Sequence, residues 1–181
     1  MVRKILRSGD PRLRKPCKPV KKIDKKVISI INDLKDTLKV QKDPEGVGLA
    51  ANQIGENLRV FAMVDKNKIR IIINPEIIST SDQSKPKSTP NTPKIKSHKQ
   101  IMEGCLSLPN YYSPLKRVQK IKIKYLNIDG KEKVEEFTGF PAQIIGHEID
   151  HLNGIMFLDR LLEQKKKLYK LEKDGWGEVE L

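Results

Sequence analysis

The sequence predicts one mixed domain of helices and hairpin-linked strands, and three patterns predict it. Apolar residues recur at helical spacing between Asp24 and Val40, and a mostly apolar stretch of helical length runs from Phe140 to Leu152. Short β-branched runs at Val60–Val64 and Ile69–Ile73 have the length of strands. Ile121-Lys122-Ile123-Lys124-Tyr125-Leu126 alternates apolar and basic residues ahead of a tight Asp129-Gly130 turn. At 181 residues, one domain is the expected count.

In chain order, the stretch through Val20 carries Pro11, Pro16 and Pro19 and reads as an extended arm, with Cys17 a plain apolar thiol. Val27, Ile30, Ile31, Leu34 and Leu38 then form one face of an amphipathic helix that Lys42-Asp43-Pro44-Glu45-Gly46 ends. A Gly-rich turn leads to the two strand runs. Ser79 to Lys99 holds Pro86, Pro90 and Pro93 and a single aliphatic residue, Ile95, too little apolar surface to offset its ordering entropy. It is expected to be a mobile surface loop, with His98 solvated at its edge. The hairpin returns through Val134 and Phe137, the Phe140–Leu152 helix should be buried, and a last helix is expected from about Leu158 to Lys173. No internal repeat is visible.

Composition excludes several functions. The net charge is +13, but 28 of the 36 basic residues are lysines and aromatics are only 5%. Specific nucleic-acid readout leans on arginine and aromatic platforms, so specific DNA binding is not expected. No apolar run approaches the roughly 18 to 20 residues of a membrane span, and Met1-Val2-Arg3-Lys4-Ile5-Leu6 lacks the pattern of a secretory signal. Two cysteines, Cys17 and Cys105, are too few for a disulfide framework.

The strongest chemical signal is His147-Glu148-Ile149-Asp150-His151. On a helix, positions i and i+4 share a face, so two imidazoles can grip one transition metal while Glu148 reaches the water it activates. Incidental histidines on a solvated face fit poorly with apolar flanks. Two histidines leave a catalytic site one ligand short. Asp159, Glu163 and Glu172 lie downstream in what reads as a surface helix; Cys105, in Glu103-Gly104-Cys105-Leu106-Ser107, is the better donor, although a lone cysteine is by default a buried apolar thiol. A third stretch, Gly46-Val47-Gly48-Leu49-Ala50-Ala51-Asn52-Gln53, permits close backbone approach and offers the Gln53 amide. It lacks the third glycine of a dinucleotide site and the Gly-Lys-Ser/Thr of a P-loop.

These three stretches, in this order, resemble the peptide deformylase family, whose motifs are Gly-x-Gly-Leu-Ala-Ala-x-Gln, Glu-Gly-Cys-Leu-Ser and His-Glu-x-x-His. The resemblance extends to Asp10-Pro11-Arg12-Leu13-Arg14, Asn74-Pro75-Glu76 and Leu152-Asn153-Gly154. It implies an α+β fold, mostly antiparallel β-sheets packed around a central metal-binding helix, with N-terminal and C-terminal helices, in one catalytic domain over 1–181. It implies removal of the formyl group from the formyl-methionine of nascent peptides. The implied metal ligands are Cys105, His147 and His151, holding Fe2+ in the cell with Zn2+, Ni2+ or Co2+ as substitutes. Glu148 is the implied proton carrier, and the Gln53 side chain and Leu106 N–H the implied oxyanion donors. The matching methionine pocket is Val47, Gly48, Ile101, Phe140, Gln143 and Ile144, each apolar one otherwise plain core packing. Arg117 is expected to pair with Asp150 beneath the metal.

Two positions depart from the family's usual form: Gly146 stands where glutamine is common, and Gln143 where an aliphatic or basic residue is usual. The Ser79–Lys99 insertion is also longer than usual. Other metal amidases or metallopeptidases use the same helix pattern, and an RNA- or ribosome-binding factor with a structural metal is the alternative from another class. The Lys165–Lys170 stretch, as part of a basic C-terminal helix, could guide docking on the ribosome. Formylated starts imply a bacterial cytoplasm or a bacterium-derived organelle, and the Lys/Ile/Asn bias points toward a parasite plastid.

Overall fold

The computed structural model describes residues 1–42, 45–81, 102–172 and 175–180. Helix α1 spans Lys25–Lys39, and the Asp24 carboxylate caps it by accepting the Val27 N–H at 2.9 Å. Its predicted stripe, Val27, Ile30, Ile31, Leu34 and Leu38, is buried. Helix α2, Phe140–Leu152, has the predicted bounds and a proline in its first turn, where a missing N–H costs nothing.

Between these helices lies a five-stranded antiparallel sheet: β1 (Gly48–Ala50), β2 (Val60–Asp65), β3 (Lys68–Ser81), β6 (Lys120–Leu126) and β7 (Glu132–Thr138), in that spatial order. The sheet is covered on both faces near β2. Val60, Ala62, Ile71 and Ile73 pack with the α1 residues, whereas Phe61, Met63 and Ile72 pack with Ile145, Ile149 and Leu152 of α2. Double-sided burial explains why these strands read as unbroken apolar runs instead of alternating ones. The hairpin alternation of β6 is also explained: Ile121, Ile123 and Tyr125 point inward, with lysines between them.

A second antiparallel sheet contains β4 (Glu103–Cys105), β5 (Leu108–Ser113), β8 (Leu168–Glu172) and β9 (Gly175–Val179), in that order. Helix α3, Phe157–Glu163, packs beneath it through Phe157 and Leu161.

The expected last helix is therefore corrected. It stops at Glu163; Lys165 turns with φ +51°, and Leu168–Glu172 is strand β8. Leu161 and Leu168 are both buried, but Leu162 is 61% exposed. The seven-residue step from Leu161 to Leu168 suits a helix face, and nothing local distinguishes it from a helix followed by a strand. Lys165–Lys170 thus forms a turn and strand, not a basic helix.

Ser79–Ser81 extend β3, so the expected loop begins later; its remainder, His98 included, lies outside the described residues. The N-terminal arm is largely irregular but is not free. A short helical turn at Pro11–Arg14 buries Leu13, Cys17 is buried, and the Asn74 side chain both accepts the Val20 N–H and donates to the Val20 carbonyl at 2.8 Å. The Leu6 N–H donates to the Gln53 carbonyl and the Ser8 N–H to the Ser107 carbonyl.

Candidate metal centre and active site

Helix α2 places His147 and His151 one turn apart, with ring centroids 4.9 Å apart. Cys105, at the end of β4, brings its Sγ to 3.2 Å from His151 Nε2. One donor atom from each of the three residues lies within 4.8 Å of the other two. All three residues are buried.

What surrounds these atoms selects their charge. Glu103 accepts from Arg117 Nε and Nη2 at 2.8 and 2.7 Å and meets His147 Nδ1 at 2.8 Å. Burial would raise its pKa, but Arg117 and His147 hold it down to about 2. An ionised carboxylate only accepts, so the proton sits on His147 Nδ1 and the Nε2 lone pair is left for a metal. Arg117 also reaches Asp150 at 2.5 Å, as expected, and Arg160 grips the same carboxylate at 2.6 Å. The Asn52 side chain donates to the His151 carbonyl at 2.6 Å, tying the Gly-rich stretch to α2.

Burial would push the Cys105 thiol up, yet the two histidines hold it well below its ordinary value. The same burial opposes charge on His147, and the sulfur and Glu103 overcome it in favour of the cation. A site that favours both an anionic sulfur and a positive charge beside it is one that a metal cation satisfies. Among the described residues, two buried polar atoms beside it, Glu148 Oε2 and His151 Nδ1, have no hydrogen-bond partner. The donor set of one thiolate and two imidazoles suits several first-row divalent ions. The residues present fit such an ion.

Glu148 is 3% exposed, and burial pushes its carboxyl up to about 7. Its head group leans on Gly48: a Cβ there would come within 2.9 Å of Glu148 Cδ and 3.0 Å of Ile144 Cγ2. Glycine at 48 is thus required by close approach. Gln53 works in two directions. Its Oε1 accepts the Ala50 N–H at 2.8 Å, and its Nε2 points toward Ser107 Oγ at 3.1 Å and Cys105 Sγ at 3.8 Å.

These groups open onto a cavity of about 270 Å³. The expected Val47, Gly48, Gln53, Cys105, Leu106, Phe140, Gln143, Ile144, His147 and Glu148 all line it. His151 lies behind the wall, as do Arg117 and Asp150; Ile101 lies outside the described residues. The sequence reading gave no role to Glu103, Asn52, Arg160 or Tyr112. Glu103 carried the one available signal, since a metal-ligating histidine commonly donates its other N–H to a carboxylate. Which carboxylate does so is a matter of long-range packing.

The comparisons with known proteins agree. The family model described as polypeptide deformylase matches residues 2–167. A peptide deformylase of Pseudothermotoga lettingae is 39% identical over 167 residues, covering 92% of this chain and 86% of that protein. One of Dictyoglomus thermophilum is 37% identical, covering 92% and 97%. Among solved structures, a Legionella pneumophila peptide deformylase superposes with a TM-score of 0.74 at 39% identity, over 89% of this chain and 86% of that one. The Synechococcus elongatus enzyme in complex with actinonin gives 0.72 at 31% identity, over 86% and 76%. Matched over most of its length in sequence and in fold, this chain belongs to the polypeptide deformylase family.

Proposed function

We propose that this chain hydrolyses the formyl group from the N-terminal formyl-methionine of nascent peptides, releasing formate and a free amine. Cys105, His147 and His151 would hold one divalent ion, Fe2+ in the cell with Zn2+, Ni2+ or Co2+ able to replace it. Such an ion acts as a Lewis acid, lowering the pKa of water toward about 7 and polarising a carbonyl. The protein's own groups do the rest. Glu148 takes the attacking water's proton on a carboxylate oxygen and later returns it to the leaving nitrogen. Gln53 Nε2 and the Leu106 N–H donate to the oxygen on which negative charge develops. Glu103 keeps His147 in the tautomer that presents Nε2, and Arg117 and Asp150 hold Glu103 and α2 in register.

Val47, Ile144 and Phe140, with Gly48 and Gln143, form the slot for the methionine side chain. Two of the strands that border the cavity, β1 and β4, are edge strands, so an extended peptide can pair with their outward backbone groups. The observation that carries the reading is the buried Glu148 Oε2, without a hydrogen-bond partner among the described residues, beside three convergent metal donors. A structural site would more often present a fourth ligand.

Docking on the ribosome through Lys165–Lys170 has weaker support, because Lys167 and Lys170 are paired with Glu178 and Glu172. No helix among the described residues is long and apolar enough to cross a membrane. The reading places the enzyme wherever formylated starts are made, a bacterial cytoplasm or a derived organelle such as a plastid. Formate release from formyl-Met-Ala-Ser tests it: the metal-loaded protein is expected to release one formate per peptide, and an inert formyl peptide would refute it.

A further inference from the structure

The two faces of the β4-β5-β8-β9 sheet differ in what covers them. Tyr111, Leu168 and Val179 point to one face and pack with Phe157 and Leu161. The other face carries Gly104, Tyr112, Tyr169, Leu171 and Trp176, related by the cross-strand pairs Gly104–Tyr112, Tyr112–Tyr169 and Leu171–Trp176. No helix packs on it among the described residues. Trp176 is 53% exposed and Leu171 38%, large apolar side chains left partly open to solvent.

This face is continuous with the catalytic cavity. Tyr112 lines the cavity and meets Trp176 edge-on, with ring centroids 5.2 Å apart at 83°. The Tyr112 ring also lies across Gly104: a Cβ there would stand 2.7 Å from two ring carbons. The absence of a side chain at 104 lets the aromatic row reach the cavity rim beside Cys105.

We propose that Tyr112, Trp176 and Leu171 form an aromatic ledge that binds apolar or aromatic side chains of the substrate peptide downstream of its methionine. The proposal rests on the deformylase reading and adds a specificity element to it. An extended chain advances about 3.3 Å per residue, so a peptide anchored by its methionine in the cavity brings its third and fourth residues past the rim. The occupant is a peptide because the ledge starts at the cavity wall and ends at the molecule's surface. A large exposed aromatic beside a binding pocket adds contact area at small entropic cost.

The test compares formyl-Met-Leu with formyl-Met-Leu-Phe-Phe. In the unaltered enzyme, kcat/KM for the longer peptide exceeds that for the shorter. Trp176→Ala lowers the long-to-short ratio about fivefold, through KM and not kcat, while Trp176→Phe largely restores it. Trp176 is the only tryptophan of the chain, which supplies a direct readout of binding. In a Glu148→Gln background, its emission changes saturably with the longer peptide and not with the shorter. If both peptides are deformylated but the ratio survives Trp176→Ala and the emission stays constant, the ledge is overturned and the deformylase reading stands. If neither peptide is deformylated, both fall. An emission change that follows protein concentration without peptide would assign the face to a second copy of the chain and overturn the ledge.

Discussion

Gln53 illustrates how one side chain can serve both the structure and the proposed chemistry. Its carbonyl oxygen holds the Ala50 N–H at 2.8 Å, and its amide nitrogen faces the cysteine of the metal centre. Gln53→Glu keeps the acceptor for the Ala50 N–H but sets a carboxyl oxygen against the cysteine sulfur, so kcat is expected to fall by about 10² to 10³, together with some loss of stability from burying the carboxyl. Gln53→Leu should add a stability loss of about 1–3 kcal/mol, because the buried Ala50 N–H is then unpaired. Steady-state kinetics with urea denaturation separates the two, and unchanged turnover in both would remove Gln53 from the oxyanion role. For Glu148→Ala, the expected outcome is full metal content with turnover reduced at least ~10²- to 10⁴-fold; an ion lost along with the carboxylate would make Glu148 structural. Glu103→Gln removes the charge that orients His147 and should weaken metal affinity by ~10- to 100-fold in a chelator competition. The candidates His147, Glu148 and His151 were legible in the sequence because an i, i+4 pair is a local pattern, whereas Cys105 stood out only through its Glu-Gly-Cys-Leu-Ser stretch. Glu103 was not assigned, because its contacts to Arg117 and His147 span 14 and 44 residues.

The elements were legible wherever one face met the core and were misread where a spacing suited two structures. Helix α1 was read nearly to its caps, since its five apolar positions form one stripe and Asp24 is a strong N-cap. Strand β2 was found from β-branched content, but its double-sided burial needs both α1 and α2 in place. The sequence of strand β8 reads as helix because Leu161, Leu162, Leu168 and Leu171 fit a helical face. Its strand character depends on pairing with Tyr111 and Tyr112 on one side and with β9 on the other. Leu34, fully buried between α1 and the sheet, offers a test of the α1 packing. Leu34→Ala should cost about 2–5 kcal/mol of unfolding free energy while metal content stays unchanged. A loss below about 1 kcal/mol would mean α1 is not packed as described.

Across the whole molecule, the site is assembled from four distant parts of the chain. The arm binds Gln53 through Leu6 and Ser107 through Ser8, Asn52 binds the His151 carbonyl, and Arg117 joins β4 to α2. None of these links joins close neighbours, which is why the sequence showed the arm only as an extended, Pro-rich stretch. Deleting residues 1–8 should therefore lower kcat and thermal stability together while leaving Cys105, His147 and His151 able to bind an ion; undiminished turnover would mean that the arm does not hold the two oxyanion donors. The central claim is that a metal held by one thiolate and two imidazoles works with Glu148 to cleave a formamide. Its most direct test is anaerobic metal analysis of the intact protein, coupled to formate release from a formyl-methionyl peptide before and after chelation. One divalent ion per chain is expected, with turnover abolished by chelation and restored by Fe2+ or Ni2+. Full turnover in the metal-free protein, or a bound ion without formate release, would contradict it.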